Sequence, residues 1–168
     1  MTTDAPVLGM QRLDHEECLR LLAIEDVGRV ALVQGSAPAI FPVNYVLDGS
    51  SPVFRTDPGT KLSHGPGTTV CFEIDGFDRD ERSGWSVVVT GVLEPLDETD
   101  AETRARVRTL PLQPWGGGEK AHWMRVVPVA GDMLEDHVFL ETGDGRVVIV
   151  IMDAPTSLRQ DFGPWFDA

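Results

Sequence analysis

The chain has 168 residues, which is long enough for one compact domain with its own core and short for two. Hydrophobic residues make up 42% and charged residues 24%, a globular composition that argues against disorder. The net charge of −13, from 27 acidic and 14 basic residues, argues against binding to nucleic acid or to an anionic membrane.

The N-terminal sequence MTTDAPVLGMQR lacks the cationic start and apolar stretch of a signal peptide. The longest apolar run, residues 147–152, is far too short to cross a bilayer. Cys18 and Cys71 cannot form a disulfide framework or a zinc site by themselves, and we interpret both as core residues in a reducing compartment. We therefore expect a cytoplasmic protein with no bound metal and no membrane contact.

The first elements are a flexible N-terminal arm, residues 1–12, and a helix that begins at Asp14. Asp14 is suited to be the N-cap, and Glu17, three residues later, completes a capping box. Gly28 follows a predicted stop near Asp26. The face of this helix that is expected to be buried carries Cys18, Leu21 and Leu22.

The next part of the chain has the pattern of β-structure. Residues 29–34 and 38–47 predict a hairpin around a short Gly-Ser turn, and a third strand, residues 52–56, follows a second turn. Residues 60–64 predict one helical turn. Residues 68–75 alternate, with Val70, Phe72 and Ile74 on one face.

The remaining elements are again mostly strands. A valine-rich strand over residues 84–94 precedes an exposed helix over 98–110, and another strand covers 122–129. A last hairpin is predicted from residues 138–141 and 146–152. Many short strands with few helices favour an antiparallel barrel over a parallel α/β sheet.

The segment with the clearest chemical character is FPVNYVLDGSSPVFRTDPGTKL, residues 41–62. Arg55, Thr56 and Lys61 are grouped around an Asp-Pro-Gly turn at a predicted helix start, where free amides suit a phosphate oxygen. Arg55 would add a forked donor pair and Lys61 a point charge. Spacing alone favours the interpretation of Arg55 and Lys61 as ordinary surface charges beside a turn, because such pairs are common.

Four segments follow one another in the chain: LDHEECLRLLAIEDVGRVAL, FPVNYVLDG, VFRTDPGTKL and GWSVVVTGVLEPL. In this order they resemble the pyridoxamine 5′-phosphate oxidase-like, FMN-binding split-barrel family, and within it the actinobacterial and nitroimidazole-resistance branch. The resemblance covers residues 13–135. It implies a mainly β fold, a six-stranded antiparallel split barrel with a few short helices, that forms a homodimer with FMN at the interface.

The resemblance also implies a set of cofactor-binding residues. Those expected at the isoalloxazine ring, partly through their backbone, are Pro42, Val43, Asn44 and Tyr45. Those expected at the phosphate are Arg55, Thr56 and Lys61, and those expected to reach the flavin from the next strand are Trp85 and Ser86. Residues 136–168 form a C-terminal extension, a hairpin and a tail that we expect to pack on the barrel or across the dimer.

The function implied is that of a flavin-dependent oxidoreductase, passing electrons from a reduced nicotinamide to an unidentified small molecule. The true oxidases carry an arginine-rich strand where this chain has residues 40–43 without arginine, which argues against pyridoxamine phosphate as the substrate. The sequence nominates no catalytic acid or base. Two alternatives stay open: a deazaflavin coenzyme or haem in the same fold, or a non-enzymatic flavin store, sensor or interaction module.

Overall fold

The computed structural model describes residues 13–57, 67–80, 83–116, 120–129, 137–142 and 145–150. Within them the chain forms two α-helices and eight strands, with a 3-10 turn at Leu96–Glu98. In chain order the helices and strands are α1 His15–Ile24, β1 Val27–Gln34, β2 Ala37–Asp48, β3 Ser51–Thr56, β4 Thr68–Asp78, β5 Ser83–Pro95, α2 Ala101–Val107, β6 His122–Pro128, β7 His137–Thr142 and β8 Gly145–Val150.

Six antiparallel strands close into a barrel. The strand order is β4-β1-β2-β3-β6-β5, and pairing of β4 with β5 completes the ring. This confirms the predicted mainly β, six-stranded antiparallel barrel. The predicted helical turn over residues 60–64 and the arm, residues 1–12, lie outside the described residues.

The C-terminal hairpin of β7 and β8 joins the barrel at one strand. β8 pairs in parallel with the first half of β5, through Gly84 with Val147 and Val87 with Val150. β6 pairs with the second half of β5, from Gly91 onwards. β5 therefore has β4 along one edge and two different strands along the other.

Two tight turns set the register of the first three strands. Gly35 and Gly49 both have φ of +64°, a left-handed conformation that costs glycine little because it has no Cβ. The resulting register pairs Arg29 with Pro42 and Tyr45 with Phe54.

Alternation along each strand separates a buried inner face from an outer face. In β4, Val70, Phe72 and Ile74 are buried, as predicted, while Cys71 and Glu73 between them are only half-buried. The prediction that both cysteines are core residues therefore holds for Cys18, whereas Cys71 faces outwards. The largest side chains with essentially no exposure include Phe54, Phe72, Ile74, Leu93 and Met124.

Helix α1 packs against this core through the predicted residues. Asp14 Oδ1 accepts a hydrogen bond from the Glu17 backbone N at 2.9 Å, which confirms the N-cap. The Glu17 carboxylate pairs with Arg20, at 2.6 and 2.7 Å, in place of the second half of a capping box. Buried in the core are Cys18, Leu21 and Leu22.

A second, smaller core lies on the outer side of β3. Val53 packs there with Leu96, Val107 and Leu112, and α2 covers the cluster. The predicted helix over residues 98–110 is shorter in the structure, because Asp100 Oδ1 accepts a hydrogen bond from the Thr103 backbone N and fixes the helix start there.

Candidate functional site

The end of β3 holds two of the residues predicted to bind phosphate. Arg55 and Thr56 pair with Trp123 and His122 of β6. The Arg55 guanidinium lies over the Trp123 ring, 5.2 Å from its centroid, a cation–π geometry that fixes the side chain. Thr56 is buried, and its hydroxyl donates a hydrogen bond to the Asp57 carbonyl at 3.3 Å.

Lys120 joins this group from the segment before β6. Arg55 Nε donates a hydrogen bond to the Lys120 carbonyl at 2.6 Å, and Lys120 Nζ lies 2.6 Å from Asp57 Oδ2. Sequence reasoning missed Lys120 because it lies 65 positions from Arg55, although it is one of only two lysines in an acidic chain. The other, Lys61, lies outside the described residues, and its role stays a prediction.

The side chains of the segment predicted to line a flavin ring alternate between the two faces of β2. Pro42 is exposed and Asn44 half-buried on the outer face, whereas Val43 and Tyr45 are buried. The Tyr45 hydroxyl donates a hydrogen bond to the Leu22 carbonyl at 2.7 Å, and burial raises the pKa of Tyr45 well above its ordinary value. Val43 and Tyr45 can therefore meet an outer ligand only through their backbone.

Asn44 holds the loop that follows α2. Its Oδ1 accepts a hydrogen bond from the Trp115 backbone N at 2.7 Å, and its Nδ2 donates to the Asp26 carbonyl at 3.5 Å. Trp115 is 74% exposed. The residues around Asn44 enclose a cleft of about 210 Å³, lined by Asp26, Asn44, Tyr45, Val46, Pro111, Leu112, Gln113 and Trp115.

Trp85 and Ser86 point to opposite faces of β5. Trp85 packs over Gly76, where an added Cβ would lie 2.6 Å from the indole ring. The Ser86 hydroxyl donates a hydrogen bond to Glu73 Oε1 at 3.1 Å, and the Glu73 carboxylate pairs with Arg29 at 2.8 Å. Trp85 is therefore turned towards the core, while Ser86 belongs to a polar network on the outer face.

Arg29 belongs to the same polar network and lies opposite Pro42 on the neighbouring strand. It pairs with Asp75 as well as Glu73, and the hydrogen bonds that its guanidinium donates to these two carboxylates raise its pKa. Among the described residues, no hydrogen bond or ion pair joins the Ser86 network to the group formed by Arg55 and Lys120. The predicted site residues thus form two separate groups in one protomer.

A bare apolar surface lies next to Pro42 on the outer face of the β1–β2 hairpin. Val33 is 62% exposed and Ile40 is 65% exposed. Their register partners, Pro38 and Ala31, lie on the same face. Apolar side chains that stand together at this exposure are typical of an interaction surface.

The described residues contain neither a membrane-spanning helix nor a cluster of metal ligands. None of their helices combines the length and hydropathy that a membrane crossing requires. No three of their His, Cys, Asp or Glu side chains are grouped as a metal site.

Comparison with known proteins finds a match to a family model, pyridoxamine 5′-phosphate oxidase, over residues 14–141. The chain is 39% identical over 109 residues to the uncharacterized protein Rv0080 of Mycobacterium tuberculosis. The match covers 61% of this chain and 70% of that protein.

Two solved structures share the fold at higher coverage of their own chains. The FAD binding protein from Mycobacterium smegmatis is 34% identical, with a TM-score of 0.58, and the match covers 70% of this chain and 92% of that one. The putative pyridoxamine 5′-phosphate oxidase from Corynebacterium glutamicum is also 34% identical, with a TM-score of 0.59, and the match covers 70% and 91%.

Proposed function

The chain belongs to the pyridoxamine 5′-phosphate oxidase family, and from this premise we propose that it binds a flavin, FMN, and acts as an oxidoreductase on a small molecule. The main observation in support is that the Arg55 guanidinium is held in place while its two terminal nitrogens remain available to a ligand. Its guanidinium is fixed by the Trp123 ring and by the Lys120 carbonyl, which together engage its face and its Nε. Within the described part of the chain its two terminal nitrogens make no hydrogen bond. They can therefore donate hydrogen bonds to the oxygens of a phosphate.

The residues of this chain would bind and orient the cofactor, since a bound flavin itself supplies the hydride or electron transfer. Arg55 and Thr56 would hold the phosphate at the end of β3. The outer face of β2 at Pro42 and Asn44 would meet the ring, with backbone groups of Val43 and Tyr45. No side chain is assigned as a proton donor or acceptor, and the substrate is expected to differ from pyridoxamine phosphate.

A second copy of the chain would complete the site. Ser86 lies in a separate group from Arg55 within one protomer, and the exposed Val33 and Ile40 stand beside Pro42. A homodimer that covers this apolar surface would bring one protomer's outer face against its partner's. We include the homodimer in the proposal for this reason.

The first test is the absorbance spectrum of the purified protein, followed by mass identification of the small molecule that heat releases. Bands in the blue and near-ultraviolet with released FMN support the proposal. Released FAD, which the M. smegmatis relative is named for binding, would change the cofactor, and released deazaflavin or a haem spectrum would replace the flavin altogether.

The second test separates an enzyme from a flavin store or sensor. The flavin-loaded protein is mixed with a reduced nicotinamide and a panel of quinones and nitro compounds. Bleaching of the flavin followed by reoxidation with each acceptor supports an oxidoreductase. A flavin that the reduced nicotinamide leaves oxidised favours the non-enzymatic alternative, and a colourless protein that takes up no flavin contradicts the proposal.

A further inference from the structure

The ion pair of Lys120 with Asp57 lies directly beside Arg55. Lys120 Nζ is 2.6 Å from Asp57 Oδ2, and Arg55 Nε donates to the Lys120 carbonyl at 2.6 Å. Both the backbone and the ammonium group of Lys120 are therefore positioned at the end of β3. The Lys120 side chain is 25% exposed and the Asp57 side chain 48%, so solvent and ligands can reach the pair.

The Lys120 side chain also lies close to the loop that Asn44 holds. A Cβ added at Gly116 would lie 3.7 Å from Lys120 Cε. The neighbouring residue, Trp115, donates its backbone N–H to Asn44 Oδ1. Lys120 thus lies near both Arg55 and the loop whose preceding residues border the cleft at Asn44.

We propose that Lys120 is a phosphate ligand of this site, and that Asp57 holds its ammonium group until a phosphate displaces the carboxylate. The inference rests on the proposed function. A phosphate monoester carries about −1.5 to −2 charges at neutral pH, against one for a carboxylate. Facing the two cations Arg55 and Lys120, the phosphate is therefore the stronger partner.

The existing ion pair is suited to such an exchange. Partly exposed pairs of this kind contribute little to protein stability, so little is lost when the carboxylate releases the ammonium group. A lysine side chain can also redirect its compact charge by rotation about its flexible stem. Asp57 would then select ligands, because a flavin without a phosphate has no group that displaces it.

The experiment measures dissociation constants for FMN and for riboflavin, which lacks the phosphate, by titration of flavin fluorescence. The variants are Lys120→Met, which keeps the aliphatic stem, and Asp57→Asn, which keeps the shape and removes the charge. Arg108→Met is the matched control, because it removes an ion pair of 2.8 Å with Asp97, and neither of these residues lines the cleft at Asn44.

We expect Lys120→Met to weaken FMN binding about tenfold, the loss of one charge-assisted contact, and to leave riboflavin binding unchanged. Asp57→Asn should tighten FMN binding about threefold, again without effect on riboflavin, because the competing charge is gone. Arg108→Met should match the wild type with both flavins.

Unchanged FMN binding in Lys120→Met, or equal weakening for both flavins, overturns the role of Lys120 as a phosphate ligand. Unchanged or weaker FMN binding in Asp57→Asn overturns the exchange. If the wild type binds neither flavin, the proposed function fails, and calorimetric titration with inorganic phosphate decides this inference separately. Phosphate binding that Lys120→Met abolishes then supports it, and phosphate binding that is absent or insensitive to Lys120→Met overturns it.

Discussion

The outer surface of the barrel has two apolar regions, of which one is covered by other parts of the chain and the other is exposed. On the covered side, Val53 of β3 is completely buried beneath Leu96 and Val107. On the bare side, Val33 and Ile40 of the β1–β2 hairpin stand open to solvent.

The difference shows that the protomer buries only part of the outer surface of its own strands. The covered side is buried by the helix and turn that follow β5, whereas the bare side has no such element within the described residues. Asn44 lies between the two on β2, two residues from Pro42 on the bare side and two from Val46, which packs against the covered cluster. The proposed flavin site therefore lies at the boundary between the covered side, which the protomer buries itself, and the bare side, which a partner subunit could cover.

The largest effect is expected on the covered side. Leu96→Ala should lower the free energy of unfolding by about 2–5 kcal/mol, because Leu96 is completely buried and its loss leaves a cavity. Leu96→Met, which nearly conserves volume, is the control and should cost less than about 1.5 kcal/mol. Urea denaturation measures both, and equal losses for the two variants would contradict the account of this cluster.

A smaller effect is expected at the boundary. Asn44→Ala should cost about 1 kcal/mol in urea denaturation, since the Trp115 N–H loses its acceptor. Asn44→Asp keeps an oxygen at that position and should retain most of the stability. If the two variants are equally unstable, the hydrogen bond to Trp115 is not what the side chain contributes.

On the bare side we expect almost no effect on the protomer itself. Ile40→Asp should change the free energy of unfolding of the isolated protomer by less than about 0.5 kcal/mol, because the side chain is already exposed. Self-association measured by light scattering should fall at least about tenfold, and Ile40→Val should associate as the wild type does. A wild-type protein that is monomeric at micromolar concentration removes the homodimer from the proposal.

The two cysteines differ in burial in a way that chemical labelling can detect. Burial raises the pKa of Cys18 to about 12, so at pH 8 its reactive thiolate is almost absent in the folded protein. Cys71 is half-buried on the outer face of β4, opposite Ala31. Alkylation with iodoacetamide, followed by mass spectrometry, should label Cys71 alone until the protein unfolds, and Cys71→Ser should abolish this labelling.

The barrel could be predicted from the sequence because alternation along a strand reports directly which face is buried. Val70, Phe72 and Ile74 were identified in this way. The contacts of the candidate site depend instead on which distant strands become neighbours. Lys120 and Asp57 are 63 positions apart and meet only because β3 pairs with β6, and no local pattern marks that pairing.

The direction of each side chain at the predicted flavin residues is a second feature that could not be predicted from the sequence. Trp85 and Ser86 are adjacent in sequence, yet one packs over Gly76 and the other bonds to Glu73. The same division separates Tyr45 from Asn44. A resemblance assigns a segment to a site, whereas the pleat of the strand decides which of its residues present a side chain there.

The parallel pairing of β8 with β5 has a consequence for shortened forms of the protein. A chain ending before residue 137 would keep all six barrel strands but expose the backbone donors and acceptors along residues 84–87 of β5. Open strand edges recruit strands from neighbouring molecules. Such a truncated chain would therefore be prone to aggregate while its barrel sequence is intact, so that loss of solubility would precede any loss of the cofactor site.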